Sequence, residues 1–559
     1  MRYSQGSVPP VPARRPVAAA RLAGLLAIAC LLRPDAVPAQ SSHTLDLTME
    51  AGERWWAGIT SESHRMPLGR SSPPFQIDLD GNTAGNQVQP LLLSSTGRYI
   101  WSDEPFQLDV RDGAIHVVSS TSDIQTGRPG PSLRDAASYA SRALFPPSGK
   151  MPDPLLFTRP QFNTWIELTY NQNQHDVMAY ARAIVANGFE PGVLMIDEGW
   201  FKAYGVWDFD RSRFPQPKQM LDELHALGFK VMLWVCPYIR PDGQAFAAMW
   251  HDRSRVVWLR SAKDQSLPAI MQWWNGFSAV VDLTSDEGRD WLTAQFRRLV
   301  TDYGVDGFKL DGGDAELFAQ AAMLTGAVAH TPSIGPNGQT EAFARIGLEF
   351  PLNEFRAMWK MGGQPLAERL RDKEHTWEDL RKLVPGILNQ GLMGYPFACP
   401  DMIGGGEYLS FENLAGVDQE LVVRWAEVHA LMPMMQFSVA PWRVLSAGNL
   451  AITRRMAALH TQYGPVIVAL AAESAKTGVP IARTLDYAYP GQGYEATIDE
   501  FLLGADVLVA PVVEKGARTR RLTVPPGRWK GDDGSTVAGP GEISIDVPLE
   551  RLPWYRRVE

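Results

Sequence analysis

The segment GFKLDGGD, residues 307–314, contains the residue types that most directly suggest chemistry. Apolar residues alternate with Lys309 and Asp311, and two glycines follow. A strand that only packs into a core needs no lysine, aspartate and glycine pair at its carboxyl end. The stretch before it, residues 287–306, has helical periodicity and a C-cap signal at Gly304. The pattern predicts a helix, a tight turn, a short strand and a loop, with Asp311 at the end of the strand.

Acidic residues dominate the polar positions at the ends of the predicted strands. Two carboxyl groups can divide the cleavage of a glycosidic bond, because one attacks or activates water and the other protonates the leaving oxygen. The 18 tryptophans fit such chemistry, since their rings can stack on sugars. The cysteines and ten histidines show no metal-ligand spacing, so we expect neither a metal nor another cofactor. The strand-end candidates are Glu167, Asp197, Glu198, Lys309, Asp311, Asp314, Arg356, Asp372 and Asp401.

Strand-like and helix-like segments alternate through residues 158–476, and this alternation predicts the domain that positions these side chains. Eight such pairs indicate a (β/α)8 TIM barrel, whose active site lies at the carboxyl ends of its strands. The fifth and eighth strands are the least regular. The strand segments are TWIELTY, GVLMIDEGW, FKVMLWVCP, DGFKLDGG, EFRAMW, RLRDK, GYPFACPD and MPMMQFS.

Two β domains are predicted to flank the barrel. Short alternating runs broken by Gly, Pro, Ser and Asn occupy residues 42–157 and indicate an N-terminal β-sandwich. Residues 478–559 return to β character after the barrel and indicate a C-terminal β domain. The fold class is therefore α/β, with a barrel between two sheet domains.

Residues 1–39 have the pattern of a signal peptide. Arg14 and Arg15 precede an apolar run, and AVPAQ supplies small residues for cleavage after Ala39. The run is too short and too rich in alanine for a membrane span. We expect an exported protein, periplasmic or secreted, with no stable membrane insertion; lipidation at Cys30 is the alternative.

Composition sets further bounds on partners and redox state. The formal net charge of −9 argues against a nucleic acid partner. A chain of 559 residues is too long for one core, which agrees with several domains. Cys236 and Cys399 remain after the leader and lie in apolar runs, so we expect buried free thiols. The sequence leaves the oligomeric state open, including a homo-oligomer.

Seven segments, in this order along the chain, resemble glycoside hydrolase family 31. The resemblance covers nearly all of the mature chain. It implies retaining α-glycosidases built from an N-terminal β-sandwich, a barrel and C-terminal β domains, with a carbohydrate as partner. The segments are GVLMIDEGW, FDRSRFPQPKQMLDELHALGFKVMLWVCP, WWNGFSAVVDLTSDEGRDWL, DGFKLDGGD, GYPFACPDMIGGG, LVVRWAEVHALMPMMQFS and FLLGADVLVAPVVEKGARTRRLTVPPGRW.

The same resemblance implies roles for individual residues. Asp311 matches the catalytic nucleophile and Asp372 the acid/base. Trp234 is evenly balanced between a sugar platform and a core residue, and Glu374 is an alternative proton donor. The matches for substrate binding are the pocket acid Asp197, the pocket aromatic Trp274, the arginine near the acid/base Arg356, and the D-I-G-G acid Asp401.

Three positions depart from the α-glucosidases of the family. Lys309 and Arg369 stand where those enzymes tend to have tryptophan, and Ser438 corresponds to their pocket histidine. The departures resemble the α-galactosidase-like branch, so an exo-acting hydrolase of terminal α-galactosides is the favoured function. An α-glucosidase, an α-xylosidase or a transglycosidase on the same apparatus is the alternative. A non-catalytic sugar-binding protein is disfavoured, because both carboxylates are present.

The chemistry also predicts how the site should be charged. Lys309 and the glycine amides after Asp311 should favour its ionised form, and the glycines should let a sugar approach. Asp372 must hold a proton, so apolar cover or a like charge should raise its pKa. That requires at least one of Arg369 and Arg371 to point outward. Glu198 is expected to orient its neighbours, and Trp377 to pack its helix.

Overall fold

The computed structural model describes residues 43–558, so the predicted signal peptide and Cys30 lie outside the described residues. Eight short parallel strands form the barrel, and each pairs with the next one along the chain from the first to the seventh. The eighth pairs with the first. In chain order the strands are Gln161–Asn163, Val193–Ile196, Lys230–Val235, Gly307–Leu310, Leu352–Phe355, Glu368–Arg369, Ala398–Cys399 and Gln436–Phe437.

Helices follow the strands, as the alternating pattern predicts. The helix before the fourth strand, Asp286–Tyr303, starts at the N-cap Ser285 and ends at Gly304, whose φ of 80° is left-handed. The C-cap prediction at Gly304 is therefore confirmed. The longer helices are Leu133–Ala143, Gln174–Ala186, Pro217–Ala226, Gln244–His251, Asp286–Tyr303, Ala315–Thr325, Gly335–Ile346, Trp377–Leu392, Gln419–Ala430 and Ala447–Thr477, and the short ones Leu155–Thr158, Trp165–Leu168, Pro441–Val444 and Leu485–Ala488.

The predicted first strand, TWIELTY at residues 164–170, is wrong. The strand is Gln161–Asn163, and Trp165–Leu168 forms a helical turn. The Asn163 side chain accepts a hydrogen bond from the Trp165 amide at 2.7 Å, and Thr164 already has helical φ and ψ of −80° and −3°. This side-chain cap turns the chain out of the barrel before the β-branched residues can extend it.

The N-terminal domain consists of two antiparallel sheets, and the second of them continues onto the barrel. Strand Met358–Trp359, which follows the fifth barrel strand, adds to this second sheet. The 3₁₀ helix Thr60–Arg65 packs against helix Trp377–Leu392 of the barrel. The first sheet contains His43–Thr48, Phe75–Asp78, Gln107–Arg111 and Ala114–Ser119, and the second Trp55–Ile59, Gln87–Ser94, Tyr99–Ser102 and Ile124–Gly127.

The C-terminal domain is one six-stranded antiparallel sheet with its own small core around Leu508, Trp529 and Tyr555. Its strands are Ala482–Arg483, Phe501–Leu503, Val507–Val509, Thr519–Gly531, Thr536–Asp546 and Trp554–Arg557. Small antiparallel sheets are inserted in the barrel: Phe201–Ala203 pairs with Val206–Phe209, Gly276–Val280 pairs with both Tyr238–Ile239 and Ile270–Trp273, and Arg260–Ser261 pairs with Ala327–Val328.

Two further sequence expectations concern the described residues. Cys236 and Cys399 are free and fully buried, which confirms the prediction of buried thiols. Within residues 43–558, no helix is both long enough and apolar enough to cross a membrane.

Candidate active site

A cavity of about 510 Å³ opens at the carboxyl ends of the barrel strands. Most of the predicted site residues line it, together with Glu198 and Asp314. Arg369 and Asp401 do not line it, and lie buried beside it with 1% and 0% of their surface exposed. The predicted residues in the lining are Asp197, Trp234, Trp274, Lys309, Asp311, Arg356 and Asp372.

Asp311 ends the fourth strand and is held by three donors. The Gly312 amide donates to one carboxylate oxygen at 2.8 Å and Arg356 Nε to the same oxygen at 3.1 Å. Trp234 Nε1 donates to the other oxygen at 3.1 Å, so this buried ring both packs in the core and contacts the carboxylate. Burial raises the pKa of Asp311, but Arg356 and then Lys309 outweigh it and hold the pKa well below its usual range. Asp311 is therefore ionised, and Arg356 rather than Lys309 is the leading cause.

Aromatic rings pack against the two glycines after Asp311 and leave no space for a side chain at either position. Gly312 has a φ of 68°, and a Cβ there would lie 2.9 Å from the Tyr238 ring. A Cβ on Gly313 would lie 2.4 Å from the Phe343 ring. A side chain at either position would collide with these rings, and the expectation that the glycines also let a sugar approach stays a prediction.

Lys309 pairs with Asp197 rather than with Asp311. Its Nζ lies 2.7 Å from Asp197 Oδ2, and the two side chains are only 6% and 3% exposed. Lys309 and Asp311 are two residues apart on one strand and so share a face. Burial lowers the pKa of Lys309, but the carboxylates of Asp197, Asp311 and Glu354 together outweigh it, so the pKa is raised. Beside Asp311, the cavity is therefore lined by an ion pair in which the charges of Lys309 and Asp197 neutralise each other.

Arg356 connects the site to the N-terminal domain. Its Nη2 lies 2.8 Å from Asp314 Oδ2, and its Nη1 donates to the Gly85 carbonyl at 3.1 Å. Gly85 belongs to the N-terminal domain and lines the cavity. Burial raises the pKa of Asp314 to about 6 despite the arginine beside it. Arg356 thus fixes Asp311, Asp314 and a loop of another domain in one arrangement.

Asp372 lies at the rim, where its side chain is 43% exposed, and pairs with Arg369. Arg369 points inward and its Nη1 donates to Asp372 Oδ1 at 2.7 Å, whereas Arg371 is exposed. Arg371 also lines the cavity, so its exposure does not place it outside the site, and the expectation of an outward-pointing arginine stays a prediction. Burial in the cleft raises the pKa of Asp372, but Arg369, followed by Lys309 and Arg356, lowers it overall. The predicted rise in the pKa of Asp372 is wrong, because these three cations together outweigh burial.

Asp401 shares Arg369 with Asp372. It follows the seventh strand, is fully buried, and has a left-handed φ of 77°. Its Oδ2 accepts hydrogen bonds from the amides of Lys373 at 2.9 Å and Gly406 at 3.1 Å. Burial, with the Asp372 carboxylate nearby, raises the pKa of Asp401 to about 7. Because Asp401 and Asp372 share Arg369, their titrations are coupled.

Glu198 contacts its aromatic neighbours, as predicted for an orienting residue. It is 2% exposed and accepts hydrogen bonds from Tyr204 Oη at 2.6 Å, Trp274 Nε1 at 3.2 Å and Asn275 Nδ2. Burial and the adjacent Asp197 carboxylate raise the pKa of Glu198 to about 8. Trp274 itself is 46% exposed, so one face of its ring is open to a ligand.

Some candidates lie outside the cavity. Glu167 pairs with Arg443 at 2.7 Å, because the first strand ends before it. Glu374 accepts a hydrogen bond from Ser410 and does not line the cavity with Asp311. Ser438 accepts a hydrogen bond from the Ile166 amide. Trp377 packs against the core and donates to Asp418, which agrees with its predicted structural role.

Sequence reasoning missed several residues at the site. Glu354, at the fifth strand, is buried 3.3 Å from Arg369, and its Oε2 accepts a hydrogen bond from Gln436 of the eighth strand. The fifth and eighth strands have the least regular sequence patterns, so the sequence does not show which way the side chains of Glu354 and Gln436 point. The missed residues in the lining are Ala84, Gly85, Trp165, Tyr170, Glu316, Leu317, Gly406, Glu407 and Tyr408.

Metal binding has no support in the part of the chain that the structure describes. Among these residues, no group of three or more His, Cys, Asp or Glu side chains could hold a metal ion. The four aspartates of the cavity instead pair with cations: Asp197 with Lys309, Asp311 and Asp314 with Arg356, and Asp372 with Arg369.

Two family profiles match the chain over most of its length. The profile of the "Glycosyl hydrolases family 31 TIM-barrel domain" matches residues 154–349 and 362–467, and that of the "Glycosyl hydrolase family 31 C-terminal domain" matches residues 478–559. The chain belongs to glycoside hydrolase family 31. The family resemblance of the seven segments is thereby confirmed, and the barrel and C-terminal sheet are those of this family.

Curated relatives of this family 31 chain differ in name and in length. The mouse myogenesis-regulating glycosidase is 33% identical over 421 residues, covering 74% of this chain and 58% of its own. Alpha-glucosidase 2 of Bacillus thermoamyloliquefaciens is 25% identical, covering 82% of this chain and 62% of its own. The sulfoquinovosidase of Agrobacterium fabrum is 27% identical, covering 92% and 82%. The chain thus spans about three fifths of the first two relatives.

Solved structures share the fold of this family 31 chain. The Flavobacterium johnsoniae dextranase complexed with glucose superposes with a TM-score of 0.81 at 20% identity, covering 93% of this chain and 67% of its own. A soil-metagenome α-xylosidase complexed with xylose gives 0.77 at 20% identity, covering 92% and 79%. At this identity the likeness establishes the fold alone.

Proposed function

We propose that the protein is a retaining, exo-acting α-glycosidase that works through a covalent glycosyl-Asp311 intermediate. The observation that carries the proposal is that Asp311 and Asp372 line one cavity, with Asp311 held ionised by Arg356. Family membership supports the same chemistry. Burial of Lys309 and Asp197 closes one wall of the cavity, which suits a terminal sugar unit.

The first half of the reaction forms the intermediate. A carboxylate oxygen of Asp311 attacks the anomeric carbon while the bond from that carbon to the leaving oxygen breaks. Asp372 gives its proton to the leaving oxygen, so the aglycone departs as a neutral alcohol. Trp234 and the Gly312 amide hold Asp311 in place for the attack.

The second half returns the enzyme to its starting state. Asp372, now a carboxylate, takes a proton from water as the water oxygen attacks the anomeric carbon, and the ester bond to Asp311 breaks. The charge on Asp311 raises the pKa of Asp372, and the ester removes that charge. The pKa of Asp372 therefore falls when the intermediate forms, which suits the change from acid to base.

The proposal also concerns which sugar the enzyme releases. The α-galactoside preference rests on Lys309, Arg369 and Ser438 in the sequence, and the names of the relatives do not support it. Those names, together with the titles of the similar structures, point to α-glucosides and α-xylosides as the first candidates. Export to the periplasm or the medium remains our proposal from the sequence.

A panel of para-nitrophenyl α-glucoside, α-xyloside and α-galactoside tests the function. We expect hydrolysis of one of them with retention of configuration at the anomeric carbon. Proton NMR measures this by detecting which anomer of the sugar is released first. Hydrolysis with inversion, or no turnover of any α-glycoside by the folded protein, contradicts the proposal. Product analysis with added sugar acceptors separates hydrolysis from transglycosylation.

A further inference from the structure

A hairpin inserted after the third barrel strand extends its tip to the active-site cavity. Its strands are Ile270–Trp273 and Gly276–Val280, and the tip consists of Trp274 and Asn275. The second strand also pairs with Tyr238–Ile239, so the body of the hairpin is held by the pairing of its backbone. Trp274 lines the cavity and is 46% exposed. The freedom that remains is therefore that of the side chains at the tip.

Three side chains from different parts of the chain form a closed set of hydrogen bonds beside Trp274. Glu198 Oε1 accepts from Tyr204 Oη at 2.6 Å and from Asn275 Nδ2. Asn275 Nδ2 also donates to Tyr204 Oη at 2.8 Å, which closes the triangle. Glu198 follows the second barrel strand and is buried, whereas Tyr204 follows the inserted strand Phe201–Ala203. We call these three residues, Glu198, Tyr204 and Asn275, the clasp.

The clasp holds Trp274 through the second carboxyl oxygen of Glu198. The indole Nε1 of Trp274 donates to Glu198 Oε2 at 3.2 Å. The centre of the Trp274 ring lies 4.8 Å from that of Trp273 and 5.9 Å from the guanidinium of Arg356, which contacts Asp311. A side chain that is free to rotate must be ordered when a ligand binds, and this ordering weakens binding. A ring that is fixed in advance avoids that loss.

We propose that Glu198, through the clasp, is a positioning residue that fixes Trp274 for binding of the sugar that Asp311 attacks. The inference rests on the proposed function. The fixed ring contacts the sugar before and during the reaction, so the clasp strengthens binding of the substrate and of the transition state alike. Loss of such uniform binding raises KM and leaves kcat unchanged. Glu198 takes no part in proton transfer, since Asp372 supplies the proton.

A double-mutant cycle tests whether Glu198 acts through Trp274, with the para-nitrophenyl α-glycoside that the panel identifies as substrate. Glu198→Leu should raise KM roughly 2- to 10-fold, as for loss of one hydrogen bond, with kcat within about 2-fold of wild type. Trp274→Phe should raise KM at least as much. The double variant should have the KM of Trp274→Phe alone, because phenylalanine offers no N–H for the clasp to hold. Glu198→Gln keeps an acceptor oxygen and should restore a KM within about 2-fold of wild type.

Asn275→Ala opens the clasp at a partly exposed side chain, and it completes the same cycle with Trp274→Phe if Glu198→Leu does not fold. It should raise KM in the wild-type background but not in the Trp274→Phe background. Gln272→Ala is the matched control, because Gln272 is an exposed residue of the same hairpin and does not line the cavity. Its KM should equal that of wild type.

An unchanged KM in Glu198→Leu and Asn275→Ala overturns the inference, as do effects that add to that of Trp274→Phe. A Glu198→Gln variant that loses kcat on substrates with poor leaving groups also overturns it, since Glu198 would then donate the proton. In each case turnover of the aryl glycoside by wild type still upholds the proposed function, whereas its absence removes the function itself.

Discussion

Arg369 Nη1 lies 2.7 Å from Asp372 Oδ1, and this contact sets the charge of the proposed proton donor. Arg369 is buried and Asp372 is at the rim, so the ion pair lies between the core and the cavity. Arg369 is the strongest of the three cations that lower the pKa of Asp372. An acid with a lowered pKa is protonated only at acidic pH, which leads to the first prediction.

The value of kcat/KM should be highest in the acidic range and fall as the pH rises toward neutrality. This parameter reports ionisations of the free enzyme, where Asp372 must carry a proton and Asp311 must not. Because the pKa of Asp311 is also lowered, the nucleophile remains ionised at acidic pH. A pH–rate profile of the wild type checks this. A plateau extending to about pH 8 would instead favour Glu198, whose pKa is raised to about 8, as the proton donor.

Asp372→Ala should lose rate in proportion to how poor the leaving group is. An alkyl α-glycoside needs the proton and should slow by roughly 10²- to 10⁴-fold, whereas a dinitrophenyl α-glycoside should lose far less in the first step. Glu374→Ala is the matched comparison, because Glu374 lies outside the cavity with Asp311. It should keep the wild-type dependence on the leaving group. Equal losses for both substrates in Asp372→Ala would remove Asp372 from the acid role.

Lys309→Met should destabilise the fold strongly, because it leaves the buried Asp197 carboxylate unpaired. Breaking a buried ion pair costs about 3–5 kcal/mol. The double variant Lys309→Met with Asp197→Asn should recover part of that loss, since no buried charge remains unpaired. Chemical denaturation of the four proteins of this cycle measures the coupling. Strictly additive effects of the two substitutions would show that the 2.7 Å contact does not link their energies.

Glu198 should make the fold less stable as the pH rises between about 4.5 and 8. In this window the unfolded chain ionises Glu198 while the folded protein keeps it protonated, so the unfolded state binds fewer protons. The loss is at most ~1.4 kcal/mol per pH unit for one group. Glu198→Gln removes this slope, and the exposed Glu190→Gln serves as control. A stability difference between wild type and Glu198→Gln that stays constant with pH would contradict the assignment.

The barrel and the cavity residues on its strands could be predicted from the sequence because strand ends and helix caps are local signals. Asp311 and Lys309 are two residues apart on one strand, so their common face follows from the period of a strand. Gly304 ends its helix through its own backbone freedom. These features depend on a few neighbouring residues, so they can be predicted without knowledge of the whole fold.

Features that depend on distant residues could not be predicted. The pKa of Asp372 depends on the direction of Arg369, which contacts Glu354 of the fifth strand and Asp401 after the seventh. The first strand was misplaced because Asn163 caps the next turn, a contact that alternation alone does not reveal. Gly85 reaches the cavity from another domain through Arg356. The Arg369 and Gly85 cases require long-range packing to orient a side chain, whereas the Asn163 contact is local and was missed because hydrophobic alternation does not record a side-chain cap.

The central claim is that Asp311 is the nucleophile. Incubating the enzyme with a fluorinated glycosyl fluoride of the preferred sugar slows the second step and should trap the covalent intermediate. Mass spectrometry of the digested protein should then find one added glycosyl group on the peptide containing residues 307–314, and Asp311→Ala should show neither the adduct nor turnover above about one per cent of wild type. An adduct on another carboxylate, or turnover above that level in the variant, would contradict the account.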